Sequence, residues 1–358
     1  MKGLDLCREY YSSVIKPIID EHISFIGEKY ASALIGWGSD VLGNDDEIST
    51  DHEWGPRCII FLPEGLKQYK DRMYEILNTR IPSTFMGYPT HFIVDKESMG
   101  VRKLSSDRSG NVHIDITTCK DYFQANLGVL VPQNEIEWLS IPENHLREVT
   151  GGEVFFDGMG KLTKLRKFYG GYYPDDVWKY RLAYAWQSLG WDIDLIGLCC
   201  DRGDVLSSRY CLNETIFRII RLAFLLNRRY APSYPKWIHR EFYKLPSIAK
   251  EIGTNLENIY IEKDIKIAMK KITQICRFLI EYQNRIKKLP SLKIRQNPYC
   301  RGYMDIDFQY IAEQTYRTIY GELKSIPIYG ALDQWITNED FLLDANKMKS
   351  LSAIYKYD

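Results

Sequence analysis

Hydrophobic periodicity changes near residue 150, and that change limits the folds open to this chain. Before it, apolar residues come in short runs or alternate with period two; after it, they recur every three or four residues. Strands followed by helices read as an α+β chain: a small mixed sheet with flanking helices, then a mainly helical bundle. Asn111–Thr117 (NVHIDIT) alternates cleanly. Val112, Ile114 and Ile116 face one way, and Asn111, His113, Asp115 and Thr117 the other, as in a half-buried strand. Residues 31–35, 57–62 and 90–94 are further strand candidates, and residues 4–29 and 64–78 read as helices.

Beyond a short strand candidate at 153–156, Pro174 with Asp175 and Asp176 opens a helix that runs to about Leu198. Residues 205–229 form another. Residues 258–288 carry apolar side chains at 261, 265, 268, 272, 275, 279, 282 and 286, the stripe of one long packed helix. We therefore expect two domains, 1–150 and 151–358, joined near a glycine-rich stretch at 149–160.

Composition excludes several classes of function. Lys plus Arg and Asp plus Glu are 47 each, so the net charge is zero, and 45% of residues are hydrophobic. A disordered chain would be poorer in apolar residues and further from neutrality. Zero net charge gives no bulk reason to bind nucleic acid or an anionic membrane, although a local basic face would still allow the former. Asp5, Arg8 and Glu9 interrupt any leader-type apolar core, and no apolar run approaches the roughly 20 residues of a membrane span. The eight cysteines (7, 58, 119, 199, 200, 211, 276 and 300) include no CxxC pair, so we expect reduced thiols in a cytoplasmic protein.

The stretch that carries chemistry is Gly36–Leu62, GWGSDVLGNDDEISTDHEWGPRCIIFL. Gly38-Ser39 follows an apolar strand. After eleven intervening residues, Asp40 to Thr50, come Asp51 and Glu53 with one residue between them, and then a second apolar strand. On an extended chain, positions i and i+2 face the same side, so the two carboxylates would sit side by side. Adjacent carboxylates repel unless a cation lies between them. Asp115, on the polar face of its strand, would add a third carboxylate. Such a trio could hold one or two Mg²⁺ ions, with Mn²⁺ as substitute, and so clamp a phosphoryl displacement. Gly38 would admit a phosphate close to the backbone, and the Ser39 hydroxyl would donate to it. The bland alternatives are a plain Gly-Ser turn, a solvated Asp51/Glu53 pair, and an Asp115 that simply partners Arg102.

This segment resembles the signature of the DNA polymerase beta-type nucleotidyltransferase superfamily: a Gly-Ser turn, about ten residues, then Asp-x-Asp/Glu. With STDHEWGPR at 49–57 it resembles an uncharacterised bacterial nucleotidyltransferase-like branch that bears a DHxWGPR motif. Further likenesses are EVTGGEVFFDGMGKLTKLR (148–166), YYPDDVWKYRLA (172–183) and RLAFLLNRRYAPSYPKW (221–237), so the resemblance spans roughly residues 8–245. It implies Asp51, Glu53 and Asp115 as catalytic and metal-binding residues, and Gly38 and Ser39 at the phosphates, with Arg57 as an added candidate there. The implied reaction is Mg²⁺-dependent transfer of NMP from a nucleoside triphosphate such as ATP to a hydroxyl of a small molecule. Two alternatives stay open: a nucleotide- or partner-binding protein of the same fold without turnover, and a transferase that modifies protein or tRNA. His52 and Trp54-Gly55-Pro56-Arg57 depart from the wider superfamily, which has an apolar residue between the acids and an apolar strand after them.

On a helix, Arg218, Arg221, Arg228 and Arg229 share one arc of about 100°. They form either a solvated, ion-paired face or a basic wall for the triphosphate, to which Lys236 and Trp237 would add a charge and a stacking surface. Asp201 and Asp204 are candidates for a general base, with helix capping as the alternative for Asp204.

Overall fold

The computed structural model describes residues 1–94, 101–106, 110–232, 235–296, 303 and 305–356. The chain is α+β, and it divides into two compact units. The first comprises residues 1–131 and 145–171, the second 132–144 and 172–358. The division expected at 150 therefore shifts: residues 151–171 go with the first unit, and residues 132–144 with the second.

The first unit is built on a four-stranded mixed sheet of order β8-β2-β1-β9. Its strands are β1 (Ala31–Leu34), β2 (Cys58–Leu62), β8 (Ile114–Thr118) and β9 (Glu153–Asp157). β1 is antiparallel to both neighbours, and β2 runs parallel to β8 with Ile59 opposite Asp115. β2 is buried along its whole length, as its unbroken apolar run requires. On β8, Ile114 and Ile116 are buried and Asp115 is exposed, as the alternation predicts. Two small sheets precede it: a hairpin of β3 (Thr84–Phe85) with β4 (Tyr88–Pro89), and β6-β5-β7 from Arg102–Ser105, His91–Val94 and Asn111–Val112.

One core layer of this unit comes from the N-terminal helix, α1 (Gly3–Tyr10) and α2 (Lys16–His22) joined by a wide turn at 11–15. Ile15, Ile19 and Ile23 meet Ile60 and Leu62 of β2, Ile114 and Ile116 of β8, and Met73 and Leu77 of α3 (Lys70–Arg80). The Tyr11 and Tyr30 hydroxyls bond to each other at 2.9 Å inside this apolar layer. After β8 the chain turns into α4 (Cys119–Leu127), whose N-cap Thr118 accepts from the Asp121 N–H at 3.0 Å.

The second unit is helical. Short α5 (Glu135–Leu139) belongs to it, and the division between the units passes through α6 (Glu143–Thr150). The next helix, α7 (Lys161–Gly170), lies in the first unit. The long pair α8 (Asp175–Asp201) and α9 (Val205–Leu226) forms the axis of the second unit, with Trp178, Trp186 and Arg181 wholly enclosed. Next come α10 (Pro235–Phe242), α11 (Ile248–Ile261), α12 (Ile265–Asn284) and α13 (Phe308–Tyr316). The single helix expected over 258–288 is two helices. The first ends at Ile261, where Glu262 turns extended, and Asp264 caps the second, accepting from the N–H groups of Lys266 and Ile267 at 2.8 and 3.4 Å. The stripe holds where α12 is continuous, since Ala268, Ile272, Ile275 and Leu279 are buried, whereas Ile261 is exposed.

Among the described residues no helix is long and apolar enough to cross a membrane. The described cysteines are all free thiols, and Cys300 lies outside the described residues.

Candidate functional site

The segment that carries the paired acids is not a strand. Asp51 follows a short 3₁₀ turn (Ile48–Thr50) with helical dihedrals, and Glu53 has a left-handed φ of 48°. The same-face argument for positions i and i+2 therefore fails, and the two carboxylates part. Asp51 is 61% exposed and its Oδ1 lies 3.0 Å from Nδ1 of His52. Glu53 turns inward. Its N–H donates to the Arg102 carbonyl at 2.8 Å, and its Oε1 accepts from the Arg102 N–H at 2.9 Å. The left-handed residue, costly for a side chain with a Cβ, is held by this double bond to β6.

Glu53 nevertheless meets Asp115. Both carboxylates lie 3.8 Å from Nε2 of His113, and the Arg102 guanidinium lies 3.7 Å from Asp115 and bonds to that same nitrogen. Arginine can only donate, so Nε2 accepts and Nδ1 carries the imidazole proton. Burial, then Arg57 and Arg102, lowers the His113 pKa to about 2. The ring is therefore neutral, and its contacts with the two acids are not ion pairs. Although His113 stands on the polar side of its strand pattern, it is only 6% exposed and packs edge-on to Phe92.

Arg57, just before β2, is buried and donates to Asp40 at 2.6 Å. Burial raises the Asp40 pKa and works against the Arg57 charge, but Asp40 outweighs it and Arg57 stays cationic. This pair explains Gly38, which has a φ of 141°: a Cβ there would lie 2.5 Å from Asp40 Oδ1 and 2.6 Å from the Arg57 guanidinium. Gly36, with a φ of 98°, would likewise drive a Cβ to 2.6 Å from the Tyr122 hydroxyl.

These groups border a cleft of about 190 Å³ lined by Gly36, Trp37, Glu53, Arg57, Asp115 and Tyr122, among others. A second cavity, about 600 Å³, shares Arg102, His113, Asp115, Tyr122 and Asn126 with it and extends along Lys70 and Tyr74. Of the sequence candidates, Glu53, Arg57 and Asp115 come together here. Asp51, Gly38 and Ser39 do not line the cleft, and Asp115 is indeed a partner of Arg102. Sequence reasoning missed three residues. His113 and Tyr122 line both cavities; the NVHIDIT alternation, which puts His113 on the Asp115 side, is the signal that could have flagged the first. Glu148 of α6 accepts the Gly36 N–H on its backbone carbonyl at 3.0 Å, and burial pushes its carboxyl pKa up to about 7. Among the described residues, three donors of this region are buried without a hydrogen-bond partner, Arg57 Nε, His113 Nδ1 and the Tyr122 hydroxyl, as is the acceptor Asp40 Oδ2. Donors left in that condition are costly unless a ligand or water meets them.

The residues as placed do not fit the expected metal set. Asp51 stands apart on an exposed turn, and the other two carboxylates face a guanidinium and an imidazole. Among the described residues no group of three His, Cys, Asp or Glu side chains is gathered to hold a metal.

In the second unit the expected four-arginine helix face is broken, because α9 ends at Leu226 and Arg228, with a left-handed φ of 51°, and Arg229 lie beyond it; three of the four arginines are ion-paired. Arg218 bonds Asp192, and Arg221 donates to Glu143 at 2.9 Å. Arg228 donates to Asp175 at 2.8 Å and lies 4.5 Å over the Trp178 ring. Lys236 lies 4.4 Å over Trp237. Asp204 caps α9, accepting from the Ser207 N–H at 3.0 Å, and Asp201 accepts from the Tyr303 hydroxyl.

A family model described as "Domain of unknown function (DUF4037)" matches residues 138–238. That range includes the resembling segments at 172–183 and 221–237. No curated protein matches. Among solved structures, the chain is similar to a nucleotidyltransferase-like protein from Exiguobacterium sibiricum 255-15. The likeness has 10% identity and a TM-score of 0.35, and covers 78% of this chain and 77% of that one.

Proposed function

We propose that this chain is a cytoplasmic nucleotidyltransferase whose first unit binds a nucleoside triphosphate and passes NMP to a hydroxyl of a small molecule. One observation carries the reading: Glu53 and Asp115, far apart in sequence, share a cleft with Arg57 and Arg102 next to the Gly36–Gly38 turn. Arg57, fixed by Asp40, still offers its unpartnered Nε–H to a phosphate oxygen. Trp37, 43% exposed on the lining, offers a stacking face to the base. Asp115, half-exposed, takes the proton of the attacking hydroxyl. The acceptor oxygen then bonds the α-phosphorus, the α–β bridging bond breaks, and pyrophosphate leaves. No step is drawn through Mg²⁺ or Mn²⁺, because the carboxylates do not converge on a metal in this arrangement.

A second reading, nucleotide binding without turnover, is favoured by the way Arg102 covers both carboxylates. The test uses purified protein with labelled ATP, GTP, CTP or UTP, divalent metal, and either small-molecule or macromolecular fractions of a cell extract as acceptor. Transfer predicts pyrophosphate release that Asp115→Asn lowers by roughly 100-fold or more. Because Asp115 is half-exposed and weakly paired, its melting temperature should stay near wild type. Nucleotide retained without release would establish the binding reading, and label in protein or tRNA would move the acceptor to a macromolecule. Absence of nucleotide binding would remove both.

A further inference from the structure

The bundle of the second unit encloses most of its apolar side chains, but one end of it does not. Val205, Leu206 and Tyr210 at the start of α9, Tyr260 and Ile261 at the end of α11, and Ile267 at the start of α12 are 42–84% exposed. These helix ends are joined. The Arg209 guanidinium donates to the carbonyls of Glu262 and Lys263, in the turn between α11 and α12. All six side chains lie within two turns of that junction along their helices. Local structure does not ask for them. Asp204 and Asp264 supply the caps of α9 and α12, and a first helical turn takes polar or acidic residues as readily as Val205, Leu206 and Ile267.

We infer that this end of the second unit is a homodimer interface, in which the patch packs on the same patch of a second copy about a two-fold axis. Three observations select that occupant. The first is area. The six side chains leave on the order of 700 Å² open, above the roughly 300–600 Å² of the largest patch on a typical monomer and near the roughly 800 Å² that each partner buries in a standard interface. The second is charge. Residues 201–210 carry two acidic and two basic side chains, and residues 260–267 carry two of each as well. A neutral rim of mixed sign does not repel its own copy, and a two-fold axis makes every acid–base pairing across it twice. An anionic membrane or a nucleic acid would call for a surplus of Lys and Arg, which this rim lacks. The third is residue type. Tyr210 and Tyr260 bring large apolar faces with a hydroxyl that can stay wet, and interfaces are enriched in tyrosine for that reason. The inference concerns the second unit alone and does not depend on nucleotidyl transfer.

Sedimentation equilibrium of the full chain, from about 1 to 100 µM, tests the interface. Wild type is expected to pass from monomer to dimer within that range. Leu206→Glu and Ile261→Glu fall at exposed sites, where substitution scarcely alters folding. Each should weaken the dimer at least about tenfold, because the two-fold axis sets two new carboxylates into one apolar contact. Tyr210→Ala, which adds no charge, should weaken it by a smaller factor. Ile48→Glu, at an equally exposed site in the first unit, should leave the dimer unchanged. A wild-type chain that stays monomeric at the highest concentration would overturn the inference, as would a dimer that survives both glutamate substitutions. Monomeric chain that sediments with vesicles of phosphatidylcholine and phosphatidylserine, and no longer does so as Leu206→Glu, would overturn it too and give the patch to a membrane. None of these results touches the transfer reading, which stands or falls on pyrophosphate release.

Discussion

Two clusters of carboxylates and arginines, one in each unit, are built to different standards. In the second unit, Arg181 grips Asp333 with two bonds of 2.7 and 3.0 Å, and both side chains are almost wholly buried. Glu143 joins them, accepting from Arg221 at 2.9 Å while its own N–H donates to Asp333 at 3.0 Å. Burial works against the Asp333 carboxylate, but Arg181 outweighs it and holds the pKa below the ordinary range. In the first unit, Arg102, Glu53 and Asp115 use the same chemistry with looser contacts and water at hand. The difference teaches how position sets the use of a charge. A buried, bidentate pair ties α8 to the chain near residue 333 and has no freedom left. A half-exposed pair can change partners, as the proposed nucleotide site would require.

The comparison breaks most visibly at Asp333. Asp333→Ala leaves Arg181 buried without its bidentate partner, and should cost about 3–5 kcal/mol in chemical denaturation. Asp115→Asn, the matching change in the cleft, should leave the denaturation midpoint almost unmoved. A small loss at Asp333 would mean that the second cluster is as exchangeable as the first.

Glu148 gives the next largest effect, and it depends on pH. Burial raises its folded pKa from the ordinary 4.5 to about 7. The folded state then prefers the protonated acid, so its contribution is complete below about pH 4.5, falls as the pH rises to about 7, and is flat above. The loss is on the order of 3 kcal/mol. Glu148→Gln removes the charge that causes it. The variant should match wild type near pH 4.5 and exceed it at pH 8, as read from urea midpoints at the two values. A difference independent of pH would place the Glu148 carboxyl in water.

Tyr122→Phe should have a smaller effect on stability than Glu148→Gln. The hydroxyl is buried without a partner, so its removal should be neutral or stabilising by up to about 1 kcal/mol, while the edge contacts to Phe61 and Phe123 remain. A loss greater than that would reveal a structural bond to this hydroxyl and separate it from the orphaned donors of the cleft.

Much of the fold was legible because the signals were local. The alternation of Val112, Ile114 and Ile116 predicted the β8 faces, and the unbroken apolar run before Pro63 predicted a buried β2. Asp204 was readable as a cap because a cap needs only the next three residues. The errors came where a local pattern was extended too far. The four-three spacing across 258–288 passed over the break at 262–264, where Glu262 turns extended and the Asp264 carboxylate begins the next helix. The D-x-E pair was read as strand because strand geometry would have made sense of it. The chain instead turns at 51–53, and Arg102 captures Glu53 there.

The sequence by itself determined the element types, the mixed sheet followed by helices, and the candidate carboxylates and arginines, since each depends on spacing within a few residues. The tertiary structure decided the partners. Arg57 went to Asp40, Arg221 to Glu143, Arg181 to Asp333 and Glu53 to Arg102, across 17 to 152 positions of chain. A charge takes its role from the group opposite it and from the water left around it, and periodicity records neither.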